Sequence, residues 1–163
     1  SDLANNYGNL CQRVVSFNEK NFNLKVPNNY KFNKDDQQIL DTFSSNIENL
    51  INSIDNQNIN YYVNFIQEQL FAANKYFNDQ EPWKKKSDKE RLNSILYVSL
   101  ELIRKISILL YPIIPESSIK ALKIFNITED KIDFDSIKNH EILKVNSDIN
   151  KISILFKKTT IND

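Results

Sequence analysis

Leu3, Tyr7, Leu10, Val14 and Phe17 recur at three- and four-residue intervals, flanked by Ala4, Cys11 and Val15. That spacing turns one stripe of a helix toward a core, so it predicts a first amphipathic helix over roughly residues 2–20. Gly8 lies inside it, where a glycine costs about 1 kcal/mol relative to alanine and implies close packing. Residues 22–34 lose the helical period and contain Pro27, Asn28 and Asn29, which reads as an extended connection. A second helix is expected from Asn33-Lys34-Asp35-Asp36, with acids in its first turn, and its stripe is Leu40, Phe43, Ile47, Leu50 and Ile54. After the polar run Asp55-Asn56-Gln57-Asn58, a third helix carries Ile59, Val63, Ile66, Leu70, Ala73 and Phe77 and stops before Pro82. Ser87-Asp88-Lys89-Glu90 has the form of a capping box for a fourth helix, which continues through Leu92, Leu96, Ser99, Ile103, Ile106 and Leu110 to Pro112. A short fifth helix opens at Pro115-Glu116-Ser117-Ser118 and ends near Phe125.

The fold class is therefore all-α, an antiparallel bundle of about five helices over residues 1–126. Residues 127–163 form a polar, extended C-terminal tail in which Ile152-Ser153-Ile154-Leu155-Phe156 can form a strand or a docking segment. A chain of 163 residues with one glycine and four prolines fits long helices with few turns, and it is long enough to bury roughly two-thirds of its unfolded surface. The absence of methionine and a start inside a helical pattern suggest a piece of a longer protein.

Charge narrows the partners. Lys plus Arg equals Asp plus Glu at 21 each, so no global field draws this chain to nucleic acid, and any contact must come from local patches. The single cysteine, Cys11, sits on the apolar stripe as a core thiol and rules out an internal disulfide. With His140 as the only histidine, no metal site is expected. No apolar run is long enough to span a bilayer and no signal peptide is visible, so the expected setting is reducing and cytoplasmic, with no membrane partner. Phosphate-cradling glycine loops, zinc-protease motifs and calcium loops are all missing, and the carboxylates fall on faces that read as solvated. No catalytic residue is assigned.

A binding surface remains. Trp83 is the sole tryptophan; it follows Pro82 at the end of the third helix and precedes Lys84, Lys85 and Lys86. A flat ring held where a helix stops, beside ammonium groups, suits an unstacked base, although by residue type alone a plug in the bundle end is the commoner role. Asn9 and Arg13, four apart, share a helix face outside the apolar stripe. An amide and a guanidinium there can reach base edges or phosphate, or can be no more than a solvated face. Extended, residues 22–34 reach roughly 40 Å. That is enough for the second helix to run parallel to the first and for the third to bring Trp83 back beside the first helix's start.

These residues also carry a family resemblance. Asp2-Leu3-Ala4-Asn5-Asn6-Tyr7-Gly8-Asn9-Leu10-Cys11-Gln12-Arg13 and Lys25-Val26-Pro27 resemble the opening of the anticodon-binding domain of methionyl-tRNA synthetases, a class I family. Ala73-Asn74-Lys75-Tyr76 with Pro82-Trp83 is similar to its third-helix signature, and residues 109–115 to its junction of fourth and fifth helices. Leu155-Phe156-Lys157-Lys158 resembles its return toward the catalytic domain. Asn-x-Tyr with Pro-Trp is shared by several class I synthetases; Gly8-Asn9-Leu10 and Arg13 are what point to the methionine enzyme.

The resemblance implies that Trp83 stacks on the first anticodon base, a cytosine, and that Asn9 and Arg13 contact anticodon bases. It also implies that Pro82, Asn74 and Tyr76 support the turn and that Lys84, Lys85 and Lys86 guide phosphates. The implied partners are the anticodon loop of tRNA(Met) and the catalytic domain of the same polypeptide, toward which the tail packs. Its His-x-Gly-His and Lys-rich Ser-Lys-Ser motifs are not in this sequence, and Lys86-Ser87-Asp88-Lys89 only superficially resembles the second. ATP, and zinc where the parent uses it, are implied for the catalytic part and no cofactor for this one. The family often has a tryptophan one turn before the third-helix Asn. Leu70-Phe71 stands there as an expected core substitution without RNA contact. The alternatives are the equivalent domain of a valine, isoleucine or leucine synthetase, or a helical protein-interaction module built around a core tryptophan.

Overall fold

A computed structural model describes residues 2–151. The expected strand or docking segment over 152–156 lies outside the described residues. Five α-helices follow in order: α1 (Asp2–Phe22), α2 (Lys34–Asp55), α3 (Ile59–Gln80), α4 (Lys89–Leu110) and α5 (Pro115–Leu122). Short 3-10 turns stand at Pro82–Lys84, Lys123–Phe125, Glu129–Lys131 and Phe134–Lys138.

The helix starts follow side-chain chemistry. Asn33 caps α2 in a full capping box: its Oδ1 accepts from Asp36 N at 2.9 Å, and Asp36 Oδ2 accepts from Asn33 N at 3.0 Å. Asn58 caps α3 by accepting from Tyr61 N. For α4 the cap is Asp88, accepting from Arg91 N, rather than Ser87. The expected box does not form: the cap moves on one residue to Asp88, whose carboxylate serves the free N–H groups and the local dipole together, and Arg91 at the third helical position has no acceptor to return.

α4 is the axis of the fold. All of residues 94–110 are buried, not only the stripe expected for it. A helix apolar nearly all round has no solvent face, and α1, α2, α3, α5 and the segment after α5 cover it. The stripe of α3 also differs from expectation. Ile59 is 48% exposed and Val63 is half-buried, while Tyr62, Phe65, Ile66 and Gln69 face inward. The first turn of α3 projects past the bundle, so the apolar face is taken up by Tyr62, whose hydroxyl donates to Leu109 O.

Helix directions correct the expected topology. Tyr7 near the start of α1 meets Ser107 near the end of α4, and Phe17 near the end of α1 packs on Phe77 near the end of α3. Tyr76 of α3, Asp36 of α2 and Arg91 of α4 meet at that same end. Hence α1 runs parallel to α3 and antiparallel to α2 and α4. The connection need not run back along the bundle: it crosses α4, where Lys31 N donates to Ser94 Oγ at 2.8 Å and Tyr30 stacks on Tyr97 at 3.9 Å. Trp83 therefore lies beside the second half of α1 and not beside its start.

Glu101 and Asp36 correct the expectation that carboxylates lie on solvated faces, because both are fully buried. Glu101 Oε2 accepts from the backbone of Ile142 and Leu143 at 3.0 and 2.9 Å, and its Oε1 accepts from Arg104 at 2.8 Å. Arg104 donates to Ser136 O and Asn139 O, and Lys105 to Ile137 O and Asn139 O. This buried cluster ties residues 136–143 to α4. Lys25 and Asp148 form an isolated antiparallel bridge that fastens the connection to the segment after α5. Cys11 is a buried core thiol, as its stripe predicts.

Candidate nucleic-acid interface

α3 ends at Gln80, and Glu81 turns into the left-handed region at φ 48°, ψ 60°. A β-carbon makes that conformation unfavourable by about 1–2 kcal/mol, and fixed partners on both sides hold it. Pro82 is buried at the first position of the 3-10 turn, where its locked φ fits and its missing N–H is not needed. Lys84 pairs with Glu81 at 3.1 Å, and Lys85 Nζ donates to Gln80 O at 2.8 Å, closing the carbonyl end of α3. Lys85 is thereby occupied as a cap. Lys86 is exposed and makes no ion pair or hydrogen bond among the described residues.

A buried clamp locks this turn from both sides. Tyr76 donates to Asp36 Oδ1 at 2.6 Å, and Arg91 forms a two-pronged pair with the same carboxylate at 2.7 and 2.9 Å. Arg91 also donates to Tyr76 Oη at 3.2 Å and Gln80 Oε1 at 3.3 Å. Tyr76 on α3 and Arg91 on α4 flank residues 77–90, so Asp36 holds the two ends of the Trp83 loop together. Burial, and then the Asp36 charge, push the Tyr76 phenol far above its usual range, so it remains the donor. Tyr76 is thus tied to the turn through a carboxylate whose burial the sequence did not disclose.

Phe77 links the site residues. Its buried ring packs edge-on against Phe17 at 6.0 Å and against Trp83 at 6.1 Å with planes 62° apart. The Arg13 guanidinium carbon lies 5.1 Å from the Phe77 ring centroid, a cation–π contact. Arg13 Nη1 donates to Asn74 Oδ1 at 3.2 Å, and Nη2 donates to Asn78 Oδ1. Asn74 in turn donates to Leu70 O at 3.1 Å and lies 3.5 Å from Asn6 O. So Arg13, Asn74 and Trp83 are brought together, with Asn74 positioning Arg13. Asn9, exposed one turn earlier on α1, makes no side-chain hydrogen bond among the described residues.

The chemistry of this edge follows from what is left unused. Trp83 is 44% exposed, so it does not plug the bundle end. Arg13 has no carboxylate partner among the described residues, and two of its five donors are taken by neutral amide oxygens. Its charge is therefore held in place without being neutralised, next to an open indole. A planar ring, a fixed guanidinium and free amides can stack a base, contact phosphate and read base edges. Phe77, Phe17 and Asn78 were not singled out from sequence. Phe77 was visible as a stripe residue, but its contact with Arg13 spans 64 positions and leaves no local signal. Among the described residues, no group of three or more His, Cys, Asp and Glu side chains could hold a metal ion, and no helix is long and apolar enough to cross a membrane.

Comparison with known proteins gives consistent results. Residues 26–163 match the family described as the anticodon binding domain of methionyl tRNA ligase. The methionine–tRNA ligase of Brucella suis biovar 1 is 38% identical over 135 residues, covering 82% of this chain and 26% of that protein. That of Thermotoga maritima is 31% identical over 165 residues, covering 100% of this chain and 26% of its own length. The chain thus spans about a quarter of the length of the curated relatives it matches. Among solved structures, methionyl-tRNA synthetase of Mycobacterium tuberculosis bound by methionyl-adenylate superimposes with a TM-score of 0.87 at 30% identity, over 96% of this chain and 32% of that one. Its free state gives 0.85 at 30% identity, over 94% and 32%.

Proposed function

We propose that this chain, which belongs to the family of anticodon-binding domains of methionyl-tRNA ligases, reads the anticodon of tRNA(Met) so that a catalytic part of the same polypeptide attaches methionine. The observation that carries this reading is the Arg13–Phe77–Trp83 edge, an un-neutralised guanidinium and a half-open indole fixed on one buried ring. Trp83 stacks on the first anticodon base, and Arg13 and Asn9 take the edges and phosphates beside it. Base–aromatic stacking is worth about 1–3 kcal/mol. The ring therefore supplies much of the recognition by a domain with no net charge.

Of the three lysines, Lys86 is the freest to meet phosphate; Lys84 first has to leave Glu81, and Lys85 stays as a cap. ATP, with zinc where the parent carries it, belongs to the catalytic part, in a cytoplasmic enzyme. The bundle over 1–126 is the reading unit, and the segment 127–163, fastened to α4 through residues 136–143, links it to the catalytic domain.

The test is binding of an anticodon stem-loop carrying CAU, at one stated salt concentration, to the protein and to Trp83→Ala. The expected loss is about 10- to 100-fold, with a midpoint of thermal unfolding lowered by only a few degrees because the ring is half exposed. Unchanged affinity, or a preference for an anticodon other than CAU, overturns the reading.

A further inference from the structure

Phe71 departs from the expectation that it is core: it is 70% exposed, the most exposed of the large apolar side chains among the described residues, whereas its neighbour Leu70 is buried. Leaving a phenyl ring in water gives up the stabilisation that burial brings, so its place on the surface matters. Residues three and seven positions apart share a helix face, and from Phe71 these are Asn74 and Asn78, the two amides that hold Arg13. Phe71 therefore stands on the α3 edge that faces α1, the edge that ends at Trp83.

Between the two rings the surface is amide-rich. Asn6 and Asn9 are exposed on α1, and Asn74 and Asn78 lie on α3. The other exposed large apolar residues are Ile51, Ile59 and Tyr61 at the α2–α3 hairpin and Ile142 and Val145 after α5. A protein-docking face concentrates contiguous apolar area at its centre. Two aromatic rings separated by amides and one arginine fit a different ligand, a single strand whose bases stack while its edges bond to amides. Six helical steps take α3 from Phe71 to Phe77, about 9 Å of rise, and the Trp83 ring centroid stands 6.1 Å from that of Phe77. Along the axis of α3 the two platforms are therefore set apart by on the order of 10 Å, roughly three stacked nucleotide steps.

We propose that Phe71 is a second stacking platform, for a loop nucleotide roughly two to four positions from the base on Trp83, with the intervening bases over the amide strip. This rests on the anticodon-reading function and deepens it: the domain grips its loop at two rings.

The experiment measures binding of a 5′-labelled CAU stem-loop to the complete protein containing this chain, beside Phe71→Ala, Phe71→Trp and Trp83→Ala, and repeats it with an abasic nucleotide at each loop position in turn. Phe71→Ala is expected to bind about 5- to 20-fold more weakly, with an unchanged salt slope because no charge is lost, and Phe71→Trp to bind at least as tightly as the parent. At one abasic position, distinct from the one that cancels the Trp83 effect, the parent should fall to the level of Phe71→Ala and the variant should lose nothing more. Full affinity in Phe71→Ala with a loss in Trp83→Ala overturns the second platform alone. No loss in either variant overturns the anticodon reading itself. Equal losses at every abasic position, or slower methionylation with unchanged stem-loop affinity, overturns the platform in favour of a ring covered by protein.

Discussion

All three arginines in this domain are held by oxygen acceptors, and two of them, Arg104 and Arg13, teach opposite lessons. Arg104 is buried on α4 beside Glu101 and Lys105, and its donors go to Glu101, Ser136 and Asn139. Every partner belongs to the chain, and the cluster fastens residues 136–143 to the central helix. Arg13 is half-buried at the α1–α3 edge, bonded to two amides and lying over Phe77 with no acid beside it. In the first cluster, charge is spent on folding; in the second, the fold positions a charge and leaves it available. A carboxylate partner marks the difference, since an arginine paired with an acid offers little net charge to a polyanion.

The widest separation between the regions is expected at Glu101. Replacing it with alanine leaves the Arg104 and Lys105 charges buried without their acid and frees the N–H groups of Ile142 and Leu143. Removing one member of a buried ionic cluster costs about 3–5 kcal/mol, readable as a lower urea midpoint. Stem-loop affinity measured on the folded fraction should be unchanged. A loss of affinity without a loss of stability would place Glu101 in the reading of RNA and dissolve the contrast.

A smaller effect is expected from pH. Burial, followed by the neighbouring Arg104 charge, lowers the Lys105 ammonium from its usual 10.5 to about 7, while Glu101 opposes the shift. Below about 7 the group is protonated in both folded and unfolded chains, and its contribution is constant. Between about 7 and 10.5 the unfolded chain keeps a proton that the folded one has released, so stability should rise with pH, by at most about 1.4 kcal/mol per unit. His140, whose pKa burial and then Lys105 hold down, and Asp41, which bonds His140, face the same region. Denaturant midpoints taken from pH 7 to 9 on the parent and Lys105→Met check it: the rise should belong to the parent. At the Arg13 edge the same change of pH should leave stem-loop affinity flat.

The sequence made parts of this legible and hid others for physical reasons. Five helices, the start of α2 near Asn33, the core role of Cys11 and the stop before Pro82 all follow from local spacing and local hydrogen bonds. The pairing of Arg13 with the Trp83 loop was anticipated, but through the wrong helix direction. A connection long enough to run back along the bundle does not have to, and Tyr30 and Lys31 anchor it across α4 instead. Glu101, Arg104 and Lys105 at i, i+3 and i+4 look like surface ion pairs. They do pair with one another, but buried, and they also bond backbone groups more than 30 positions away, which no side-chain pattern announces. Phe71 was hidden by its neighbour, since a Leu-Phe pair puts two apolar residues on adjacent faces and only packing decides which faces in.

The narrowest effect, and the sharpest for the contrast, concerns the shape of the charge at Arg13. Lysine at that position keeps the charge but loses the planar fork that bonds Asn74 and Asn78 together and lies over Phe77. If the fold serves to position a flat guanidinium, Arg13→Lys should weaken CAU stem-loop binding by about three- to tenfold, near 1 kcal/mol. Stability should change by about 0.5 kcal/mol or less, because the site is at the surface. The slope of affinity against salt should match the parent for lysine and fall by about one for Arg13→Ala, which removes a phosphate neutraliser. Should lysine bind as well as arginine, charge alone is what the RNA meets there. The bonds to Asn74 and Asn78 would then be an internal fastening of α1 to α3, no different in kind from those that Arg104 makes on the central helix.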